Sequence, residues 1–235
     1  AAANYEVLKE PGYEEVVVTA TRTSQQRGSI GDASYVLSRE AIEASGKNSV
    51  VGLLKSVPGV FVKLQGGIGS AASISLRGVP YKYTLVMLDG IKLADYMGNG
   101  GSGFPVLDHL SSEEIERIEV VYGPQSTLWG SDAVGGVIKI NTKLPEFEPT
   151  GSLEASAGSF DSYISRGAYS QRIGEIGLTI FGDRVKSDGY RVNGDHQTEA
   201  GGLRLDWGGE SDWRGYLSWA VSDSEYGLPG SLDAN

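Results

Sequence analysis

EIERIEVVYGPQSTLWGSDAVGGVIKINTK, residues 114–143, is the stretch on which the fold turns. Ser111, three residues ahead of Glu114, fits a capping box that opens a short helix. Arg117-Ile118-Glu119-Val120-Val121 then alternates polar and apolar side chains as a half-buried strand does. Gly123-Pro124 turns the chain. Pro124 suits the first position of a helical turn through Leu128-Trp129, Gly130 suits its end, and Val137 to Thr142 forms another strand.

Working outward toward the amino terminus, Leu85-Val86-Met87-Leu88, Asp89-Gly90 and Ile91-Lys92-Leu93 read as a hairpin, because Asp-Gly tolerates the positive φ angles of a two-residue type I′ turn. Val60 to Leu64 and Ser73 to Leu76 are strands on either side of the glycine loop Gln65 to Ser70. That loop is a poor phosphate cradle. No Gly-Lys-Ser/Thr follows it, and the next element is a strand with no helix N-terminus to face an anion. Ser38 caps a helix through about Ala44, and Ser49 caps a second one with Val50, Leu53, Leu54 and Val57 on one face, ended by Pro58-Gly59. Tyr35 to Leu37 is a short strand. Glu14 to Ala20 is a β-branched run without a strand neighbour in sequence; it is either an ordinary first strand or an exposed segment able to join a partner's sheet edge. Residues up to about 147 thus form a compact α+β domain.

Composition narrows the function. The 235 residues include no cysteine, which removes disulfide frameworks, Cys-based metal sites and thiol nucleophiles. The formal charge of −10 argues against nucleic acid as a partner. Acid is concentrated late: residues 1–145 carry 13 basic and 15 acidic side chains, residues 146–235 carry 7 and 15, so two regions are expected. Only His109 and His196 are present, in unrelated contexts, and the aspartates follow no EF-hand spacing. No enzyme, no metal site and no cofactor is expected on these grounds.

The blocks resemble the plug domain of TonB-dependent outer-membrane receptors. Residues 114–143 are similar to that family's signature almost throughout, with Tyr122 where Arg is commoner. SVPGVFV (56–62), ISLRG (74–78) and LVMLDGIKL (85–93) follow in the expected order, and EEVVVTA (14–20) is similar to the family's energy-coupling box. The resemblance implies an N-terminal extension over residues 1–31, a plug over 32–147, and a seat inside a transmembrane β-barrel of about 22 strands. It implies that Glu15, Val16, Val17, Val18, Thr19 and Ala20 are captured by TonB from the periplasmic side, and that Arg77 and Arg117 meet acidic residues on the barrel wall; on the residues alone, each arginine could equally be a plain surface ion pair. It also puts a small-molecule or metal-chelate ligand (ferric siderophore, haem or cobalamin class) on the plug apex, where Gln65, Tyr81, Tyr83, Tyr96, Asn99 and Phe104 supply aromatic and amide contacts, and the whole in the outer membrane of a Gram-negative bacterium.

From about residue 148 the pattern changes to alternation. Leu203, Leu205 and Trp207 fall on one face against Arg204 and Asp206; Trp213, Leu217, Trp219 and Val221 repeat this against Arg214, Tyr216, Ser218 and Ser222. Periodicity alone fits an aqueous sandwich as well as a barrel wall facing lipid; the resemblance favours the barrel. Five strands are expected, at about 151–158, 161–172, 174–186, 198–208 and 212–224, with a loop over Ser187 to His196. Five strands cannot close, since even the smallest membrane barrel takes about eight. The barrel is incomplete in this chain, and a second chain or a missing C-terminal portion is expected to complete it, the chain being part of a split, nicked or truncated receptor. The alternative is a soluble or secreted β-rich ligand-binding module without transport.

Overall fold

A computed structural model describes residues 17–18, 25–26, 33–64, 72–93, 107, 110–208 and 215–227. In chain order the strands are β1 (Val17–Val18), β2 (Gln25–Gln26), β3 (Ser34–Leu37), β4 (Val60–Leu64), β5 (Ala72–Leu76), β6 (Thr84–Leu88), β7 (Ile91–Lys92), β8 (Ile115–Tyr122), β9 (Gly136–Thr142), β10 (Thr150–Gly158), β11 (Ser162–Ile173), β12 (Ile176–Ser187), β13 (His196–Trp207) and β14 (Gly215–Tyr226). The helices are α1 (Arg39–Ala44), α2 (Val50–Ser56) and α3 (Ser126–Trp129). The described residues fall into two compact units, one holding those up to Lys63 together with residues 72–143, the other Leu64 together with those from Leu144 onward. Among the described residues no helix is long and apolar enough to cross a membrane, which says nothing of strands.

In the first unit a five-stranded sheet runs β3-β8-β9-β6-β7, with β4 and β5 paired separately. The expected caps are in place. The Ser38 hydroxyl accepts from the Ala41 amide and the Ser49 hydroxyl from the Gly52 amide. A hydrogen bond to Ser38 and one to the backbone hold the Glu40 carboxyl below the usual carboxylate range. The capping box at Ser111 and Glu114 forms with both bonds present, but it opens a 3₁₀ turn over Ser112–Glu114 instead of an α-helix. Asp89 (φ 48°) and Gly90 (φ 85°) make the predicted primed turn, with Leu88 opposite Ile91. Leu85, Met87, Val121, Ala133 and Val137 form one buried cluster, with Val36 and Trp129 packed against it.

Three expectations are corrected. Val17–Val18 does have a neighbour, pairing antiparallel with Gln25–Gln26. The turn after β8 begins its helix at Ser126, so Pro124 lies ahead of the helical turn and not at its first position. β8 does not present a polar face to solvent: from Ile118 onward every residue is buried, Glu119 included. On the face of Glu119, Val36 of β3 and Lys139 of β9 stand directly opposite it on either side.

The second unit is a single antiparallel sheet in the order β10-β11-β12-β13-β14. Its register puts rows of apolar side chains on one face: Leu178, Leu205 and Leu217, then Ile180, Leu203 and Trp219. Leu217 and Trp219 are each 61% exposed, so this face is uncovered by the described chain. Further along the same face the apolar rows give way to Arg184, Glu199 and Asp223. The opposite face is polar. Arg204 grips Asp206 through Nη2 at 2.7 Å and Nε at 3.0 Å and stacks on Tyr216, Arg166 faces Asp183, and Ser170 and Thr179 share a hydrogen bond. Apolar side chains toward the surroundings and polar ones toward the interior are what a barrel wall in lipid requires, the reverse of a soluble sheet. Both edge strands, β10 and β14, pair on one side only.

Candidate functional site

The candidate residues fall into three groups. The first is the coupling segment, of which Val17 and Val18 are described and sit in the β1–β2 pairing; Glu15, Val16, Thr19 and Ala20 lie outside the described residues. The second is the apical set, from which Gln65, Tyr96, Asn99 and Phe104 lie outside the described residues. Tyr81 and Tyr83 bound a 3₁₀ turn, where the Gly135 amide donates to the Tyr83 carbonyl at 2.8 Å and Lys82 Nζ stands 4.9 Å from the Tyr83 ring. Tyr83 is exposed, so the turn offers an aromatic edge from a fixed backbone.

The third group is the arginines, and both are engaged within the first unit. Arg77, at φ 49°, lays its guanidinium 4.2 Å above the Tyr122 ring, a cation–π distance. The Tyr122 hydroxyl donates to the Pro58 carbonyl, the Arg77 amide donates to the Gly59 carbonyl at 2.8 Å, and the Tyr122 amide donates to the Ala33 carbonyl at 2.9 Å. Tyr122 therefore ties the entry of β3, the end of α2 and the turn after β5 into one junction. Arg117 Nε lies 2.7 Å from Glu119 Oε1.

Several residues that matter were not singled out from sequence. Glu119 is one; the residue types gave no sign that the solvent-facing position of an alternating strand would be covered. Asp89 was read only as a turn residue, and its second role went unread: its carboxylate accepts from the Thr142 amide at 2.8 Å and the Thr142 hydroxyl at 2.7 Å, fixing the last residue of β9. Phe160 and Tyr190 project from adjacent loops of the second unit with ring centroids 6.4 Å apart, and the Asp188 amide donates to the Phe160 carbonyl. His196 is buried, and among the described residues neither ring nitrogen has a hydrogen-bond partner. Among the described residues no three acidic or histidine side chains are placed to hold a metal ion.

The family described as "TonB-dependent Receptor Plug Domain" matches residues 27–137. The chain is 38% identical over 180 residues to "Vitamin B12 transporter BtuB" of Vibrio vulnificus (strain YJ016), an alignment covering 76% of this chain and 28% of the relative. Among solved structures, the ferripyoverdine receptor of the outer membrane of Pseudomonas aeruginosa, bound to ferripyoverdine, superposes with a TM-score of 0.69 at 19% identity, covering 89% of this chain and 27% of that one. The ferric yersiniabactin uptake receptor FyuA from Yersinia pestis gives a TM-score of 0.61 at 24% identity, covering 82% and 31%. At these identities the two structures speak for the fold. The chain spans less than a third of the length of each of these relatives.

Proposed function

The chain belongs to the TonB-dependent receptors of the Gram-negative outer membrane, and from that premise we propose that it is the plug and first wall strands of a receptor importing a corrinoid of the cobalamin class. The observation that carries the ligand class is the 38% identity to a vitamin B12 transporter over three-quarters of the chain. Transport of this kind changes no covalent bond in the ligand, so the chain acts by binding and moving.

Residues 1–31 form the coupling extension, 32–147 the plug and 148–235 the first strands of the wall. TonB takes Glu15 to Ala20 by strand addition, where main-chain hydrogen bonds supply the affinity and the β-branched side chains keep the segment extended. The ligand rests on the plug apex, where Tyr81 and Tyr83 of the 3₁₀ turn contact it together with Gln65, Tyr96, Asn99 and Phe104. Arg77 and Arg117, carried on Tyr122 and Glu119, keep donor edges for acidic residues of the barrel wall. A C-terminal portion or a second chain supplies the remaining strands, because an open sheet edge in hydrocarbon leaves peptide groups unsatisfied at several kcal/mol each.

The test is equilibrium binding to the full receptor in detergent, with its composition fixed beforehand by intact mass and denaturing gel. Saturable binding of cyanocobalamin, not displaced by ferric pyoverdine or haemin, supports the proposal. Preference for either competitor would refute the corrinoid class and leave the receptor assignment standing.

A further inference from the structure

We propose that His196 is a proton-operated latch on the loop over residues 188–195, holding the loop shut at neutral pH and releasing it in acid. The proposal goes beyond the transport reading and stands whichever ligand the receptor takes.

The loop joins β12 to β13 and is fastened near both ends. At its start the Asp188 amide donates to the Phe160 carbonyl at 2.8 Å and the Gly189 amide to the Ser187 hydroxyl at 3.1 Å. Tyr190 then meets the Phe160 ring. At its end the Gly194 amide donates to the Arg191 carbonyl at 3.0 Å and the Gly227 amide to the Asp195 carbonyl at 2.7 Å. His196 is where the chain re-enters the sheet. It stands opposite Ser187 in the last rung between β12 and β13, and opposite Tyr226 in the last rung between β13 and β14. A change at this residue therefore reaches both ladders that hold the loop's second end.

Side chains alternate between the two faces of a strand, so His196 and Thr198 share the polar face of Arg204 and Asp206, and both are buried. On the other face the apolar rows end at Val221, where Arg184, Glu199 and Asp223 open a charged band. His196 lies beyond Glu199, past the apolar part of the strand. Neither ring nitrogen has a partner among the described residues, and the Ser187 hydroxyl is already shared between Ser162 Oγ at 2.6 Å and the Gly189 amide. The site thus suits an uncharged ring and gives an imidazolium nothing to donate to. Burial accordingly holds His196 below the ordinary histidine value of 6.5, and the Asp195 carboxylate opposes this only in part. The residues opposite on the flanking strands, Ser187 and Tyr226, carry no charge in this range, while Lys186 and Glu225 belong to the reverse face. A released loop leaves the ring hydrated and titrating near its ordinary value. The shut loop then binds fewer protons than the released one, so its stability is complete above that value and is lost as pH falls through it.

Hydrogen exchange on the full receptor in detergent tests this, read on peptides spanning residues 187–196 at about pH 7.5 and about pH 5 and corrected for the intrinsic pH dependence of amide exchange. In the native sequence the corrected exchange of these peptides is expected to rise on acidification by at least about threefold and at most about thirtyfold. The ceiling is what a released imidazole titrating near 6.5 gains from proton binding over that interval. Peptides of the turn between β11 and β12, at the other end of the sheet, are expected to stay unchanged. His196→Phe fills the site with a ring that takes no proton, and His196→Gln keeps polar atoms there without a titrating group. Both variants are expected to abolish the acid response of residues 187–196, whatever their effect at neutral pH. A rise of less than about threefold in the native sequence, or an undiminished rise in either variant, would overturn the proposal. An equal rise in the turn between β11 and β12 would overturn it as well, by showing that acid loosens the whole sheet.

Discussion

Replacing Gly136 by alanine should open the centre of the plug, and the structure gives the size of the effect. Gly136 begins β9 at φ +138°, a conformation that L side chains rarely adopt. A Cβ there would overlap the Val121 carbonyl oxygen and stand 2.7 Å from Leu76 Cδ1. The flexible leucine could move aside, but the carbonyl belongs to β8, whose Val121 and Tyr122 pair with Val137 and Gly136, so it cannot shift without disturbing the ladder. Overpacking costs about 1–3 kcal/mol and the backbone conformation about 1–3 kcal/mol more, giving a loss of about 4 kcal/mol against a domain stability of about 5–15. Gly182→Ala is the matched control: at that strand position the nearest atom to an added Cβ is the Ala200 carbonyl oxygen at 3.8 Å and φ is not positive. There alanine should be neutral or stabilising by about 0.5–1 kcal/mol. Hydrogen exchange on the full receptor reads both. In Gly136→Ala, peptides covering β8 and β9 should exchange roughly a thousandfold faster, at about 1.4 kcal/mol per decade, while Gly182→Ala leaves the exchange of its strand unchanged or slower. Wild-type exchange in Gly136→Ala, or equal damage from both substitutions, would refute the steric argument.

Asp89→Ala removes two charge-assisted bonds to Thr142 and should cost about 2–4 kcal/mol in denaturant unfolding of the plug, with Asp89→Asn losing roughly half as much. Ser111→Ala should cost about 1 kcal/mol by the same measurement, through loss of the bond from the Glu113 amide. Trp207 and Trp219 lie exposed on the apolar face of the wall sheet, so brominated lipid should quench both while leaving Trp129 of the plug bright. Absence of that quenching, together with a monodisperse protein in detergent-free buffer, would mark an aqueous module.

Much of this architecture was legible because the deciding signals are local. The Asp89-Gly90 pair announces its turn through the φ angles it tolerates, and Ser38, Ser49 and Ser111 announce helical starts through hydroxyls that reach the next amides. The wall strands were legible for another reason: a sheet with one apolar and one polar face repeats every two residues, so Leu203, Leu205 and Trp207 separate from Arg204 and Asp206 without knowledge of any partner strand. What stayed hidden was non-local. Glu119 reads as a solvent-facing position until Val36 of β3 and Lys139 of β9 are placed opposite it, and those residues lie far from it in sequence or beyond a turn. Gln25 and Gln26 have no β-branched character, so nothing in them predicts pairing with Val17 and Val18. Arg77 and Arg117 were identified by motif, but that one lies over Tyr122 and the other pairs with Glu119 depends on strand register.

The most direct test of the account is the accumulation of radiolabelled cyanocobalamin by cells producing the full receptor, compared between TonB-containing and TonB-lacking hosts and between the native sequence and Val17→Pro, which interrupts main-chain pairing in the coupling segment. The account predicts uptake only with TonB and the native segment, while cell-surface binding persists in all cases. Equal uptake without TonB, or with Val17→Pro, would contradict it.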